Sequence, residues 1–148
     1  MSNLREMLKR HEGYSSMPYK CPAGKRTIGW GHNIDAHPLP KDIEGYLAAN
    51  SYILPEHAER LLSDDIRTAT QDCQRIYPGF DGFSEPRRAA LTDFMFNVGA
   101  TVAAKFKNMR KAVIDGDWNR AADELFFSRW REQVGDRATE IIGMVRAG

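Results

Sequence analysis

The sequence predicts an α+β fold: a small N-terminal β-hairpin lobe, a long helix, and a helical remainder. Three observations predict it. Residues 14 to 32 alternate around two glycines as strands do, residues 55 to 77 keep an unbroken helical period, and the chain from residue 87 onward reads as helices. At 148 residues the chain has the size of one ordinary domain, or of two small lobes sharing a helix. Its 42% hydrophobic content supports a real core and argues against disorder.

The first helix is expected over residues 3 to 12. Asn3 and Glu6 make a capping pair, and Leu4, Met7, Leu8 and His11 form one stripe at helical spacing. Gly13 ends the helix, which makes Glu12 its last residue. The hairpin follows. Tyr14, Met17 and Tyr19 lie before a turn at Cys21-Pro22-Ala23-Gly24-Lys25, and Thr27-Ile28-Gly29-Trp30-Gly31-His32 forms the second strand. Gly29 and Gly31 leave one strand face without side-chain bulk, which marks a bend or a close approach of another group to the backbone.

Pro38 and Pro40 break the chain, and Lys41 to Ala49 suits a short helix. From Pro55 to about Tyr77, the apolar residues Ala58, Leu61, Leu62, Ile66, Ala69, Cys73 and Ile76 keep one face, with Pro55 at the start and Pro78-Gly79 at the stop. Such a rod is ~33 Å long, enough to join two lobes. Further helices are expected at Arg87–Val98, the first of them buried, then Val102–Ile114, Trp118–Phe127 and Glu132–Val145. The single domain thus divides into a hairpin lobe at about 13–54, a linking helix at about 55–77 and a helical lobe at about 78–148. Helix 3–12 is expected to pack on the helical lobe, with a cleft between the lobes.

Twenty-one Lys and Arg against twenty Asp and Glu give a net charge of +1, which argues against a dedicated nucleic-acid binder. Lys105, Lys107, Arg110 and Lys111 nevertheless follow one another with no acid between them. The run reads either as a solvated helix face or as a basic rim facing an anionic polymer. No apolar run approaches the ~18 to 20 residues of a membrane span, so no stable membrane insertion is expected. The first residues lack the apolar stretch of a signal peptide, which predicts a protein that starts life in the cytoplasm. Two cysteines are too few for a disulfide scaffold, and the four histidines show no metal-ligand spacing.

Glu12 is the first candidate for chemistry. A carboxylate at a helix C-terminus faces the negative end of the macrodipole, a setting that suits a group whose task is to hold and then donate a proton. By itself such a residue also fits an exposed, fraying helix end.

The wider pattern is more specific. His11-Glu12-Gly13, Tyr19-Lys20-Cys21 and Thr27-Ile28-Gly29-Trp30-Gly31-His32, followed by Pro86-Arg87-Arg88-Ala89-Ala90-Leu91, Phe96-Asn97-Val98-Gly99, Ser128-Arg129-Trp130 and Asp136-Arg137-Ala138, resemble the phage-type lysozymes, the endolysin muramidases. The resemblance covers most of the chain and keeps the order of its blocks. It implies a lysozyme-like fold and hydrolysis of the β-1,4 bond between N-acetylmuramic acid and N-acetylglucosamine in bacterial peptidoglycan. It implies no cofactor and no metal. It also implies a monomer that waits in the host cytoplasm until a holin releases it to the periplasm and cell wall.

Carried over by position, Glu12 matches the general acid and Thr27 the threonine that orients the attacking water. Cys21 stands where the family has a catalytic Asp. His32 matches a buried histidine paired with an acid on the linking helix, here Asp65, which is read as structural. Arg137 matches an arginine reaching the acid across the cleft. Asn33, Phe96 and Asn97 match positions lining the sugar groove. Arg129 and Trp130 are assigned to packing.

The departure at Cys21 leaves three readings open: a base on water, a nucleophile at the anomeric carbon, or a spectator beside Glu12. Lys20, Lys25 and Arg26 are expected to favour the thiolate. Other functions also remain open: a lytic transglycosylase using Glu12 alone, a peptidase or amidase built on Cys21 and His32, and a wall-binding module without catalysis. Thr27 speaks against the transglycosylase, and the placement of Cys21 in a hairpin turn speaks against the peptidase.

Overall fold

The computed structural model describes residues 2–148, with side chains from Leu4 onward. The Asn3 half of the expected capping pair lies outside the described side chains. Helix α1 spans Ser2–Glu12, and its apolar residues Leu4, Met7 and Leu8 are buried. Gly13 closes it at φ 70°, with its amide bonded to the Lys9 carbonyl at 3.0 Å.

The chain forms two compact units, one of residues 6–66 and one built on residues 67–148 together with the start of α1. The first contains strands β1 (Ser15–Lys20), β2 (Arg26–Gly29) and β3 (His32–Asn33), and helix α2 (Lys41–Asn50). The sheet is antiparallel in the order β1-β2-β3, so the expected two-stranded hairpin is corrected to three strands. The stretch from Thr27 to His32 is not one strand, because Gly29 and Gly31 both take positive φ, 66° and 72°, and fold the chain back at Trp30. The buried side chains of this unit are Ile28, Leu39, Ile43, Ile53, Ala58 and Leu61.

Helix α3 runs Pro55–Ile76. Ala58 and Leu61, from its first half, belong to the core just named, and Ala69, Cys73 and Ile76 belong to the core of the second unit. A short 3-10 turn at Phe80–Gly82 precedes α4 (Glu85–Val98). Every residue of α4 from Ala89 to Met95 is buried, the polar Thr92 and Asp93 included, as befits a helix surrounded by its neighbours. It starts two residues before the expected Arg87, because the Ser84 hydroxyl caps the Arg87 amide and Pro86 fits the first turn.

Two expected helices are each broken in two. Val102–Ile114 becomes α5 (Ala100–Ala103) and α6 (Lys107–Ile114). The joint is Phe106, which leaves helical geometry at ψ 66°, its ring edge-on to Phe94 with centroids 5.1 Å apart. Helix α7 covers Trp118–Phe126. Glu132–Val145 becomes α8 (Arg129–Val134) and α9 (Asp136–Ala147). Gly135 separates them at φ 60° and ψ −119°, a conformation in which any Cβ is strained.

Two buried polar contacts tie these elements down. In the first unit, His32 Nδ1 lies 2.7 Å from Asp65 Oδ2 on α3, and His32 Nε2 lies 2.8 Å from the His37 carbonyl. With Asp65 ionised both partners only accept, so the geometry suits an imidazolium that carries hydrogen on both ring nitrogens. Burial pulls its pKa down, but the hydrogen bond and charge of Asp65, helped by the His37 carbonyl, outweigh burial and leave it above the ordinary value. A raised pKa stabilises the fold fully below the unfolded value of about 6.5 and ceases to do so as pH climbs through the folded value. The stability gap between wild type and His32→Gln, read from urea unfolding, is therefore expected to be about 2 kcal/mol near pH 5.5 and to narrow in alkaline buffer. A gap that widens with pH would refute the imidazolium.

In the second unit, Arg137 Nε donates to Asp93 Oδ1 at 2.8 Å, with the Asp93 side chain fully buried and that of Arg137 only 10% exposed.

Candidate active site

The three residues singled out for chemistry all lie in the first unit. The sheet register explains how they come to share a face. Tyr19 stands opposite Thr27, and Thr27 opposite Asn33, so these three side chains form a row across one face. The ladder continues one step past β1, where the Cys21 amide bonds the Lys25 carbonyl at 2.9 Å and a turn closes from Gly24 N to Cys21 O at 2.8 Å. Cys21 therefore has the same parity as Tyr19 and is the diagonal neighbour of Thr27. The other parity carries Arg26 and the core residue Ile28.

Glu12 reaches this neighbourhood from the end of α1. A Cβ built on Gly31 would lie 2.6 Å from the Glu12 carboxyl carbon and 2.8 Å from its Cγ. The carboxyl thus rests against bare backbone at the β2–β3 turn. Gly31 meets two demands at once, positive φ and the absence of a side chain where the acid sits.

Tyr19 lies within the electrostatic reach of both Glu12 and Cys21. Burial raises the pKa of its phenol, and the negative charges of Glu12 and Cys21 raise it further. The sequence places Tyr19 in the hairpin without a role, although its distance of two residues from Cys21 is the signal that puts both on one face.

The Cys21 thiol is shifted toward the thiolate, by a different cause from the one expected. The Lys25 backbone amide lowers its pKa most, with smaller help from the Ala23 amide and the Thr27 hydroxyl, against a modest opposing effect of burial. The expected cations do not supply the effect. Lys20 and Arg26 have the opposite parity on the sheet, and Asp35 holds Arg26 through both its backbone amide and Nε, at 2.9 Å each. Thr27 is 5% exposed and donates its hydroxyl proton to the Lys25 carbonyl at 3.0 Å.

The family model for phage lysozymes matches residues 9–147. The chain belongs to the phage lysozyme family. A relative named probable T4-type lysozyme 2, from Dictyostelium discoideum, is 30% identical over the whole chain and 96% of that protein. An endolysin of Acyrthosiphon pisum secondary endosymbiont phage 1 is 27% identical over 95% of the chain and 86% of its own length. The pre-baseplate central spike protein Gp5 of Enterobacteria phage T4 is 28% identical over 99% of the chain, which spans only 28% of that larger protein. The α+β architecture is that of a lysozyme, a glycoside hydrolase whose substrate is peptidoglycan.

The remaining expected site residues of this lysozyme fall in both units. In the first, Asn33 Oδ1 accepts the Ala36 amide at 3.0 Å, which leaves its NH2 group as the available donor. In the second, Asn97 Oδ1 accepts the Trp130 indole N–H at 2.8 Å. An indole only donates, so this bond fixes the orientation of the amide and again leaves NH2 available. Trp130 is buried edge-on to Phe94, while Phe96 is half-buried against the same core. Arg137 is engaged with Asp93 as described.

A recess of about 340 Å³ in the first unit is lined by Pro18, Arg26, Ile34, Asp35, Leu39 and Leu47 among others. It takes in Arg26, whose parity on the sheet is opposite to that of Thr27 and Cys21, and none of the three chemistry-bearing residues lines it. No helix among the described residues is long and apolar enough to cross a membrane.

Proposed function

We propose that this lysozyme cleaves the β-1,4 bond between N-acetylmuramic acid and N-acetylglucosamine with Glu12 as general acid, Cys21 as base and Thr27 orienting the water. Glu12 gives its proton to the departing glycosidic oxygen as the C1–O bond breaks. Water forms the new bond at C1 and passes its proton to the Cys21 thiolate, so each turnover ends with Glu12 ionised and Cys21 neutral, and solvent resets both. Asn33 and Asn97 offer NH2 donors suited to sugar carbonyl and hydroxyl oxygens, and Phe96 and Arg137 complete the set assigned to the glycan strand.

The observation that carries this reading is the Glu12 carboxyl against Gly31, in a unit whose sheet aligns Tyr19, Cys21 and Thr27 on one face. The amide donors around the thiol favour a charged sulfur, which is what a base requires. Thr27 argues for water attack over the intramolecular closure of a transglycosylase. The endolysin among the relatives supports a role in host cell lysis, and the reading adds a monomer released by a pore-forming holin.

Mass spectrometry of products from purified peptidoglycan tests the chemistry. Hydrated muropeptides with reducing muramic acid ends are expected. Anhydro ends would instead mean a transglycosylase, freed peptides an amidase, and intact sacculi with saturable binding a wall-binding module.

The thiol has its own test in the pH dependence of kcat/KM. Activity of the wild type is expected to rise with pH through a value below that of an ordinary thiol. Cys21→Asp is expected to stay active with its acid limb moved down toward about pH 4, and Cys21→Ala to lose about 10²-fold or more. An unchanged profile in Cys21→Ala would make the thiol a spectator.

A further inference from the structure

The basic run that the site does not use offers a second surface. Between Asp93 and Asp115 the sequence contains no acid, yet it holds Lys105, Lys107, Arg110 and Lys111. All four are exposed, Lys105 on the bend between α5 and α6 and the other three on α6. Ordinary helix electrostatics disfavours this placement. Lys107 and Arg110 lie in the first turn, at the positive end of the helix dipole, where acids are preferred. No acid occupies that turn, and Phe106 in the capping position supplies no side-chain bond. Lys107 also faces Arg110 and Lys111 at the i+3 and i+4 spacings that make like charges repel.

Only part of this charge is answered within the protein. Lys111 pairs with Asp115 at 3.1 Å, and Arg110 spends its Nε on the Ile76 carbonyl at 2.8 Å. Among the described residues, Lys105 and Lys107 have no ion-pair partner. A merely solvated face would gain from mixed signs, whereas a surface that meets a polyanion gains from this one.

We propose that the α5–α6 bend is a docking surface for the carboxylate-bearing stem peptides of the peptidoglycan sacculus, holding the enzyme on its insoluble substrate. This rests on the function proposed above, and it places the contact on residues outside the reacting groups.

The test is co-sedimentation with purified sacculi on ice, across a range of salt, for wild type and for Lys105→Gln/Lys107→Gln/Lys111→Gln. Arg110 is left in place because of its backbone bond. The triple variant is expected to bind about tenfold more weakly at low salt, and the difference to vanish by about 0.5 M salt, where the screening length has fallen to a few ångströms. The corresponding Lys→Arg triple variant should bind as wild type, and sacculi with amidated carboxyl groups should bind all three equally. Equal binding of wild type and the Gln variant to native sacculi, or a loss that persists at high salt, would overturn the proposal. So would a loss in the Arg variant. Release of reducing ends by the wild type is scored separately. Its absence would sink the proposed hydrolysis while leaving the binding result to stand or fall alone.

Discussion

Glu12→Gln is expected to lower kcat by about 10²- to 10⁴-fold, the usual worth of a positioned general acid. Glutamine keeps the length and shape of the side chain that lies against Gly31 but has no proton to give to a leaving oxygen. KM should change little, because the amide still fills the same space. The thermal midpoint is read separately, because the side chain ends α1, where the negative pole of the helix favours a neutral group over an anion. Turnover of dye-labelled sacculi alongside calorimetry separates the two readouts. A variant that kept wild-type turnover would remove Glu12 from the chemistry altogether.

Arg137→Ala is expected to be the most damaging single change to stability, by about 3–5 kcal/mol. It deletes the guanidinium facing a carboxylate that has no exposure at all, so the buried Asp93 loses a cation that offsets its desolvation. For a chain of this size the midpoint would fall by about 6–20 °C. Replacing the pair with apolar residues, Asp93→Leu with Arg137→Met, should recover most of that loss, since the cost comes from the orphaned charge rather than from a missing attraction. Denaturant unfolding of the single and double variants measures both numbers. A loss under 1 kcal/mol in the single variant would show that the pair is not buried in solution.

What could be read from the sequence follows the physics of each signal. Long elements announce themselves. The apolar residues of α3 repeat over 22 residues, and the buried run of α4 is apolar on nearly every side. Short-range geometry does not. Strand β3 has two residues, too few for any alternation to show, and its existence depends on Gly29 and Gly31 turning the chain. The breaks at Phe106 and Gly135 interrupt helical periods that look continuous in composition, one because an aromatic ring turns inward and one because a glycine takes a conformation closed to other residues.

The site divides in the same way. Glu12 and Thr27 enter the candidate site by their position in a motif. The amides that polarise Cys21 belong to a turn whose backbone directions no residue type spells out, and the nearby cations mislead because strand parity sends two of them to the other face.

The two thiols of this chain stand at opposite extremes of reactivity. Hydrogen-bond donors pull Cys21 toward its anion at a partly open turn, while Cys73 is fully buried and pushed up to about 12. An alkylating reagent at neutral pH therefore distinguishes them by kinetics alone. The folded chain consumes one equivalent quickly and the unfolded chain two. The first equivalent counts chains and the second counts molecules that have opened their core, so the protein carries its own stoichiometric gauge of folding.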